Sequence, residues 1–226
     1  MPKVVDHDVR RQQVAEALWR VVSEYGLDGT TMRRVAAEAG MSIGLVQHYF
    51  STKDEMERFA FDRIIANAQE RMVERVEAMP TPVSPRTMIR LILAELTMPA
   101  DEQRLAEYQV VLSFSLRALQ RPDLAREMRT NDAELAYFIT EQLRLAQRQG
   151  EIPAEHDPEV EAALLLCFAD GCGQRILLGH LDCAVGVQAL DRMLDRLFSV
   201  RPELGASHGL KNDRGHKASL GGTHGH

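Results

Sequence analysis

Residues 31–50 read TMRRVAAEAGMSIGLVQHYF, and the spacing of small and apolar residues in this stretch is informative. Ala36 is small where two helices would cross, Gly40 lies in the turn four residues on, and Val46 returns to the crossing six residues later. This pattern is typical of a helix-turn-helix. The remaining inward positions are apolar or aromatic: Val35, Ala39, Met41 and Tyr49. The alternative is a tight helical hairpin with no role beyond packing.

Helical signals continue on both sides of this stretch. Apolar residues line one face of a preceding helix: Val14, Leu18, Val21, Val22 and Tyr25. Gly26 ends that helix, Thr31 and Ser42 are expected N-caps, and Thr52 with Glu55 forms a T-x-x-E capping box for a fourth helix that runs to about residue 79. Further helices are predicted over residues 84–98, 101–119, 122–149, 157–181 and 184–200. No strand-like alternation stands out, so the predicted fold class is all-α.

Composition bounds the function. The chain has 226 residues, 45% of them hydrophobic, and a net charge of −6, which argues against a general polyanion binder. Residues 1–53 carry seven Lys/Arg and six Asp/Glu, whereas residues 54–226 carry twenty and twenty-seven, so any contact with nucleic acid has to be local. The three cysteines, Cys167, Cys172 and Cys183, form no CxxC pair and suit a reduced, cytoplasmic chain. We expect no signal peptide, membrane span, metal or cofactor.

The end of the chain departs from the helical pattern. Residues 201–226 contain six glycines, four histidines and only three leucines, so we expect this segment to be disordered. Its four histidines could bind a transition metal weakly; they are His208, His216, His224 and His226. The simpler interpretation is that they are ordinary polar residues of a disordered tail.

The outward residues of the third helix suit a DNA groove. Gly44 removes a side chain where the backbone can meet a phosphate or a base edge. Gln47 can form paired hydrogen bonds to a base, with adenine favoured, and Ile43 and Leu45 can touch thymine methyl groups. Ser42 caps this helix at the same surface.

Other residues in this part of the chain can meet the phosphate backbone. His48 and Lys53 flank the reading surface, Arg33 and Arg34 lie on the first turn of the second helix, and the helix start near Thr31 offers free N–H groups. The candidate DNA-binding residues are therefore Thr31, Arg33, Ser42, Ile43, Gly44, Leu45, Gln47, His48, Tyr49 and Lys53.

The run LWRVVSEYGLDGTTMRRVAAEAGMSIGLVQHYFSTKDEM, residues 18–56, resembles the DNA-binding domain of TetR-family transcriptional regulators. The matching marks are Gly26, Thr31, Val35-Ala36, Ala39-Gly40, Ser42, Gly44, Tyr49-Phe50 and Lys53. The version GLVQHYFSTKD is similar to the BetI-like branch, although tyrosine is more usual where Gln47 stands.

The resemblance implies an all-α homodimer of about nine helices that represses transcription at double-stranded operator DNA. It also implies release from that DNA by a small-molecule effector, here of unknown identity. The expected domains are a helix-turn-helix domain over residues 1–55 and a ligand-binding and dimerisation domain over residues 56–200.

The last two predicted helices are apolar around most of their circumference, as in EVEAALLLCFADGCGQRILLGH at residues 159–180. Two such helices from each of two chains would form a four-helix interface about a two-fold axis. The candidate interface residues are Leu165, Phe168, Ile176, Leu190, Leu194 and Leu197. The alternative is that both helices pack inside a single chain.

Amphipathic helices between these two regions could enclose a mostly apolar effector. The candidate residues are Met88, Ile92, Tyr108, Leu112, Ser115, Phe138 and Gln142. Plain packing is the alternative for each of them.

Two other classes of function compete with a regulator. An enzyme would need chemistry such as His180 with Asp182 or Cys183, but these residues lie at a helix end where polar residues are ordinary, and HExxH, GxSxG and phosphate-binding loops are missing. We therefore expect no catalysis. A helical binding module with an unused helix-turn-helix is the second alternative, and activation rather than repression depends on the position of the operator.

Overall fold

The computed structural model describes residues 3–198, with side chains described from residue 7 onward. These residues form nine α-helices and no strand, which confirms the predicted all-α fold class. The helices are α1 (Lys3–Tyr25), α2 (Met32–Glu38), α3 (Ile43–Tyr49), α4 (Lys53–Glu77), α5 (Pro85–Thr97), α6 (Glu102–Ala118), α7 (Pro122–Arg148), α8 (Pro158–Leu177) and α9 (Cys183–Leu197). The predicted tail over 201–226 and the last residues of the predicted final helix lie outside the described residues.

The eighth helix ends four residues before the predicted residue 181. Gly179 adopts a φ of 70°, in the left-handed region that favours glycine. The N–H groups of Gly179 and His180 donate to the carbonyls of Ile176 and Arg175, at 3.0 and 2.8 Å. This pair of hydrogen bonds is a Schellman motif, which satisfies the last carbonyls and turns the chain out of the helix.

The helix starts around the helix-turn-helix follow the expected capping. The hydroxyls of Thr31, Ser42 and Thr52 each accept a hydrogen bond from the backbone N–H three residues on, at 3.1–3.2 Å. The Glu55 carboxylate reaches back to the N–H of Ser51 at 2.8 Å rather than to that of Thr52, so the capping box differs from the expected one by one residue.

A first hydrophobic core joins α1–α4 to parts of α6 and α7. The indole N–H of Trp19 donates to the Ala60 carbonyl at 3.1 Å, and the rings of Phe61 and Phe114 stack with centroids 5.0 Å apart. This core therefore continues past residue 55 into both α4 and α6. The helix-turn-helix therefore shares its core with α6 and α7 and does not pack as an isolated unit.

A second core is built from α5, α7, α8 and α9. Beside it, the two buried glutamates Glu95 and Glu107 form ion pairs with arginines of α4 and α6. Arg71 contacts Glu95 at 2.5 Å and Glu107 at 2.9 Å, and Arg75 and Arg104 contact Glu95 at 3.0 and 3.3 Å. This ion cluster joins the last turns of α4 to the end of α5 and the start of α6.

Candidate DNA-binding site

The two helices of the helix-turn-helix cross as the sequence predicts. Val35, Ala36 and Val46 are at most 2% exposed. Gly40 has a φ of 65°, and the Met41 N–H donates to the Ala36 carbonyl at 2.9 Å, which closes the turn. The other inward positions are half-buried against the same core: Ala39, Met41 and Tyr49. Because the crossing is tight, α3 is held rigidly with one face outward.

That outward face of α3 carries apolar side chains that the chain itself leaves uncovered. Ile43 is 41% exposed and Leu45 is 36% exposed, and Gly44, Gln47 and His48 are exposed beside them. A Cβ added at Gly44 would meet no atom of the protein within 4 Å. The glycine is therefore not required by packing, and the face suits contact with a second molecule.

The start of α2 presents two arginines in different environments. Arg33 is exposed, as are Thr31 and Arg34, whereas Met32 is half-buried against the first core. Arg34 instead folds back: its guanidinium lies 4.5 Å from the ring centroid of Tyr25 and donates to the carbonyl of Gly29. Arg33 is thus the freer of the two to meet a phosphate.

Three rings form a row beside α3. Tyr49 meets His7 edge-on at 4.8 Å between centroids and His48 at 5.4 Å. His7 on α1 was not among the predicted site residues, because nothing in the local pattern places the first turns of α1 against α3. The row brings two imidazoles to the same edge of the helix-turn-helix.

Lys53 is held by the protein itself. Its ammonium lies 3.2 Å from Oε1 of Glu57 and donates to the carbonyl of Leu27 at 3.2 Å. Glu57 is 2% exposed and also contacts Arg117 of α6 at 2.5 Å. The Lys53–Glu57 spacing of four residues was visible in the sequence, whereas Arg117 could not be linked to either residue by local signals.

Further ion pairs tie the start of α4 to the corner between α6 and α7. Asp54 contacts Arg117 at 3.5 Å and Arg121 at 3.2 Å, and Arg58 contacts Asp123 at 3.1 Å. Hydrogen bonding from Arg121 holds the pKa of the Asp123 carboxyl well below its ordinary value. Helix α4, which follows α3, is thus held against the second half of the chain by ion pairs as well as by apolar packing.

The predicted effector residues lie on three helices, with α7 packed against both α5 and α6. Five of them are half-buried: Met88, Ile92, Leu112, Ser115 and Gln142. Phe138 is 39% exposed, while Tyr108 is buried and its hydroxyl donates to the Asp170 carbonyl at 3.3 Å. Burial raises the pKa of Tyr108 to about 12. The Ser115 hydroxyl donates to its own helix, at Val111, 2.9 Å away.

Two cavities described in the structure lie elsewhere. One, of about 450 Å³, is an open groove along α7 between Arg126 and Tyr137. The other, of about 20 Å³, lies among the α4, α6 and α7 residues around Glu57 and Arg117. None of the predicted effector residues lines either cavity.

Most of the predicted dimer residues are buried within the single chain. Leu165, Leu190 and Leu194 are 0% exposed and Leu197 is 6% exposed within the single chain. Phe168 and Ile176 are half-buried against the same core. The larger exposed apolar residues here are Val160, Leu164 and Cys167 of α8, Leu178 at its C-cap and Val185 of α9.

The residues of the enzyme alternative have ordinary structural roles. The Asp182 carboxylate caps α9 by accepting from the Ala184 N–H at 2.7 Å. Burial raises the pKa of the Cys183 thiol, which makes it a poorer nucleophile. Over residues 3–198 the structure shows no cluster of three or more metal-ligating side chains. In the same range, no helix has the length and apolar character needed to cross a bilayer.

A helix-turn-helix with an exposed reading face, followed by a larger helical region, defines a DNA-binding regulator. Residues 15–57 match the family described as bacterial regulatory proteins, tetR family, and residues 85–199 match the BetI-type transcriptional repressor C-terminal domain. The chain belongs to the TetR family of transcriptional regulators, with a BetI-type second domain. This confirms the family resemblance seen in residues 18–56.

Individual relatives agree with this assignment. The HTH-type transcriptional regulator PksA of Bacillus subtilis is 32% identical over 183 residues, covering 79% of this chain and 83% of the relative. BetI 2 of Chromohalobacter salexigens is 31% identical over 207 residues, covering 88% and 93%.

Solved structures show the same architecture. A transcriptional regulator from Rhodococcus sp. Rha1 has 30% sequence identity and a TM-score of 0.67, covering 83% of this chain and 95% of that one. A regulator from Saccharomonospora viridis, determined in complex with choline, has 20% identity and a TM-score of 0.74, covering 84% and 98%. The second likeness is evidence for the fold only.

Proposed function

We propose that the protein is a repressor that binds operator DNA as a homodimer and is released by a small-molecule effector. The observation that carries this proposal is the outward face of α3, where Ile43, Gly44 and Leu45 are exposed on a rigidly packed helix. Gln47 supplies base hydrogen bonds, and Arg33, His48 and Lys53 meet phosphates. In a dimer, two copies of α3 enter successive major grooves about 34–36 Å apart.

The test of DNA binding is Gly44→Asp, with Ala133→Asp on the exposed side of α7 as the matched control. Both variants add one carboxylate at an open helical position, so both should fold. Fluorescence anisotropy on DNA from the protein's own upstream region, against scrambled DNA, should show selective binding by wild type and Ala133→Asp only. Selective binding by Gly44→Asp at wild-type affinity would contradict the assignment.

The surface proposed for dimerisation is the outer face of α8 and the start of α9. Val160, Leu164, Cys167 and Leu178 are spaced by 4, 7 and 18 residues from the first, which places them on one side of a helix. Val160, Leu164 and Leu178 are 53%, 51% and 66% exposed, and Val185 of α9 is 49% exposed. Apolar side chains this exposed on adjoining helices favour a second copy of the chain as their cover.

Leu164→Arg tests this interface, with Leu116→Arg as the control. Leu116 is 61% exposed on α6, a helix that is not part of the proposed surface, so its replacement adds the same charge outside that surface. Sedimentation velocity should show a monomer for Leu164→Arg and a dimer for Leu116→Arg. A dimer in both variants would place the interface elsewhere.

Release by an effector requires that the compound prefer the state that does not bind DNA. We place the effector among α5, α6 and α7, where the predicted residues are half-buried and α7 packs on both neighbours. Choline is the first compound to test, because one relative of the same fold was solved with it. Repression itself is tested by a reporter gene placed downstream of an operator obtained by selection with the wild-type protein, and transcription of that gene should rise when the regulator is deleted.

A further inference from the structure

Glu57 is a buried carboxylate on the first turns of α4 with a cation on each side. Its Oε1 lies 3.2 Å from the ammonium of Lys53, and its Oε2 lies 2.5 Å from Nη1 of Arg117. At 2% exposure it has almost no access to solvent. A buried charge of this kind is tolerated only with its partners in place, so the three side chains hold one another in a single arrangement.

Lys53 connects this ion-pair cluster to the helix-turn-helix. Lys53 begins α4, three residues after Phe50, which caps the end of α3. Its ammonium also donates to the Leu27 carbonyl at 3.2 Å, in the turn that leads into α2. The ammonium donates one N–H to the Leu27 carbonyl and is held beside Glu57 by the ion pair, so N–H groups remain for a phosphate. Glu57 thus fixes Lys53 relative to both helices of the helix-turn-helix.

Arg117 connects the same cluster to the second half of the chain. Arg117 lies in the last turn of α6 and also contacts Asp54 at 3.5 Å. Arg121, in the corner that follows, contacts the same Asp54 at 3.2 Å. A displacement of this end of α6 must therefore carry the start of α4 with it or break a buried ion pair.

We propose that Glu57 is a positioning residue for DNA binding: it holds Lys53 and the start of α4 in the orientation that presents α3 to the groove. It also couples that orientation to the end of α6 through Arg117. This role rests on the proposed DNA-binding function and assigns no direct DNA contact to Glu57. None of the predicted site residues carried such a role.

The first experiment compares Glu57→Gln with Glu95→Gln on an operator obtained by selection with the wild-type protein. Glutamine keeps the size of the side chain and removes its charge. Glu95 is an equally apt control, since it is 5% exposed and is contacted by three arginines, but its cluster lies on the α5 side of the molecule. Both variants should lose thermal stability.

Only Glu57→Gln should lose affinity for DNA. Its Kd should rise about tenfold, which corresponds to a fall of the binding-competent orientation to about a tenth of the population. The Kd of Glu95→Gln should stay at the wild-type value. Arg117→Met should match Glu57→Gln, the double variant should be no worse than either single one, and Arg117→Lys should recover part of the loss.

The salt dependence of binding separates positioning from contact. For Glu57→Gln the slope of log K against log[salt] should stay as in wild type, because no phosphate contact is removed. Lys53→Met should lower the magnitude of that slope by about 0.9, the value for one phosphate. A Glu57→Gln protein with wild-type affinity would overturn the positioning role while leaving the regulator intact. Absence of any selected operator for wild type would instead overturn the DNA-binding function on which the role rests.

Discussion

Gly173 lies where the ring of Tyr108 crosses α8, and Gly173→Ala should destabilise the protein. An added Cβ would lie 2.4 Å from the Tyr108 hydroxyl oxygen, 2.5 Å from its Cζ and 2.7 Å from the Thr97 carbonyl oxygen. All three separations are far inside van der Waals contact, so the Tyr108 ring and the Thr97 carbonyl of α5 must both move away, or α8 itself must shift. Overpacking of this kind costs about 1–3 kcal/mol. Displacement of Tyr108 also breaks its hydrogen bond to Asp170, which contributes about 1 kcal/mol.

Helix propensity acts in the opposite direction, because alanine is favoured over glycine inside a helix by about 1 kcal/mol. The net expectation for Gly173→Ala is a loss of about 1–3 kcal/mol, equivalent to roughly 2–12 °C in Tm for a chain of this size. Gly171→Ala is the matched control, since a Cβ at Gly171 meets no atom within 4 Å. It should raise the stability by up to about 1 kcal/mol.

Urea denaturation of both variants at one fixed protein concentration measures the difference, with circular dichroism as the signal. Fixed concentration is needed because association would contribute to the apparent stability. Equal stability of the two variants would refute the claim that Gly173 is required for the approach of Tyr108 to α8.

Three further predictions rest on single groups. Burial raises the pKa of Tyr108 to about 12, so the folded state keeps a proton that the unfolded state loses near pH 10. The free energy of unfolding should therefore fall as the pH rises between these two values. Denaturation measured across this pH range should show that Tyr108→Phe removes the part of the fall that Tyr108 causes. Glu95→Ala removes the carboxylate that Arg71, Arg75 and Arg104 share and should cost about 1–3 kcal/mol, whereas Asp195→Ala, at an exposed pair with Arg86, should cost less than about 1 kcal/mol by the same assay. Thr52→Ala removes the cap of α4 and should lower Tm by the equivalent of about 1 kcal/mol, while Thr130→Ala, whose hydroxyl bonds within its own helix, should change it far less.

Local signals in the sequence were sufficient for the helix-turn-helix. Caps, glycine turns and the inward positions of α2 and α3 depend on residues only a few positions apart, and Ala36 and Val46 lie at the crossing as the spacing predicts. The exposed residues of the reading face follow from the same geometry, because seven-residue helices have only one way to bury their apolar side. The one error in this region, the target of the Glu55 carboxylate, concerns a choice between adjacent N–H groups.

The sequence by itself thus determined the all-α class, the number and limits of most helices, and the family. Tertiary structure alone decided which side of α8 is inside: Leu165 is buried and its neighbour Leu164 is 51% exposed. When a helix is apolar around most of its circumference, its sequence does not indicate which side is buried. The packing of α8 against α5, α7 and α9 decides which face is inside. The same reason applies to Glu57, Arg117 and the Tyr108–Gly173 approach. Partners separated by sixty or more residues are brought together only by the fold, and no periodicity in a single helix records them.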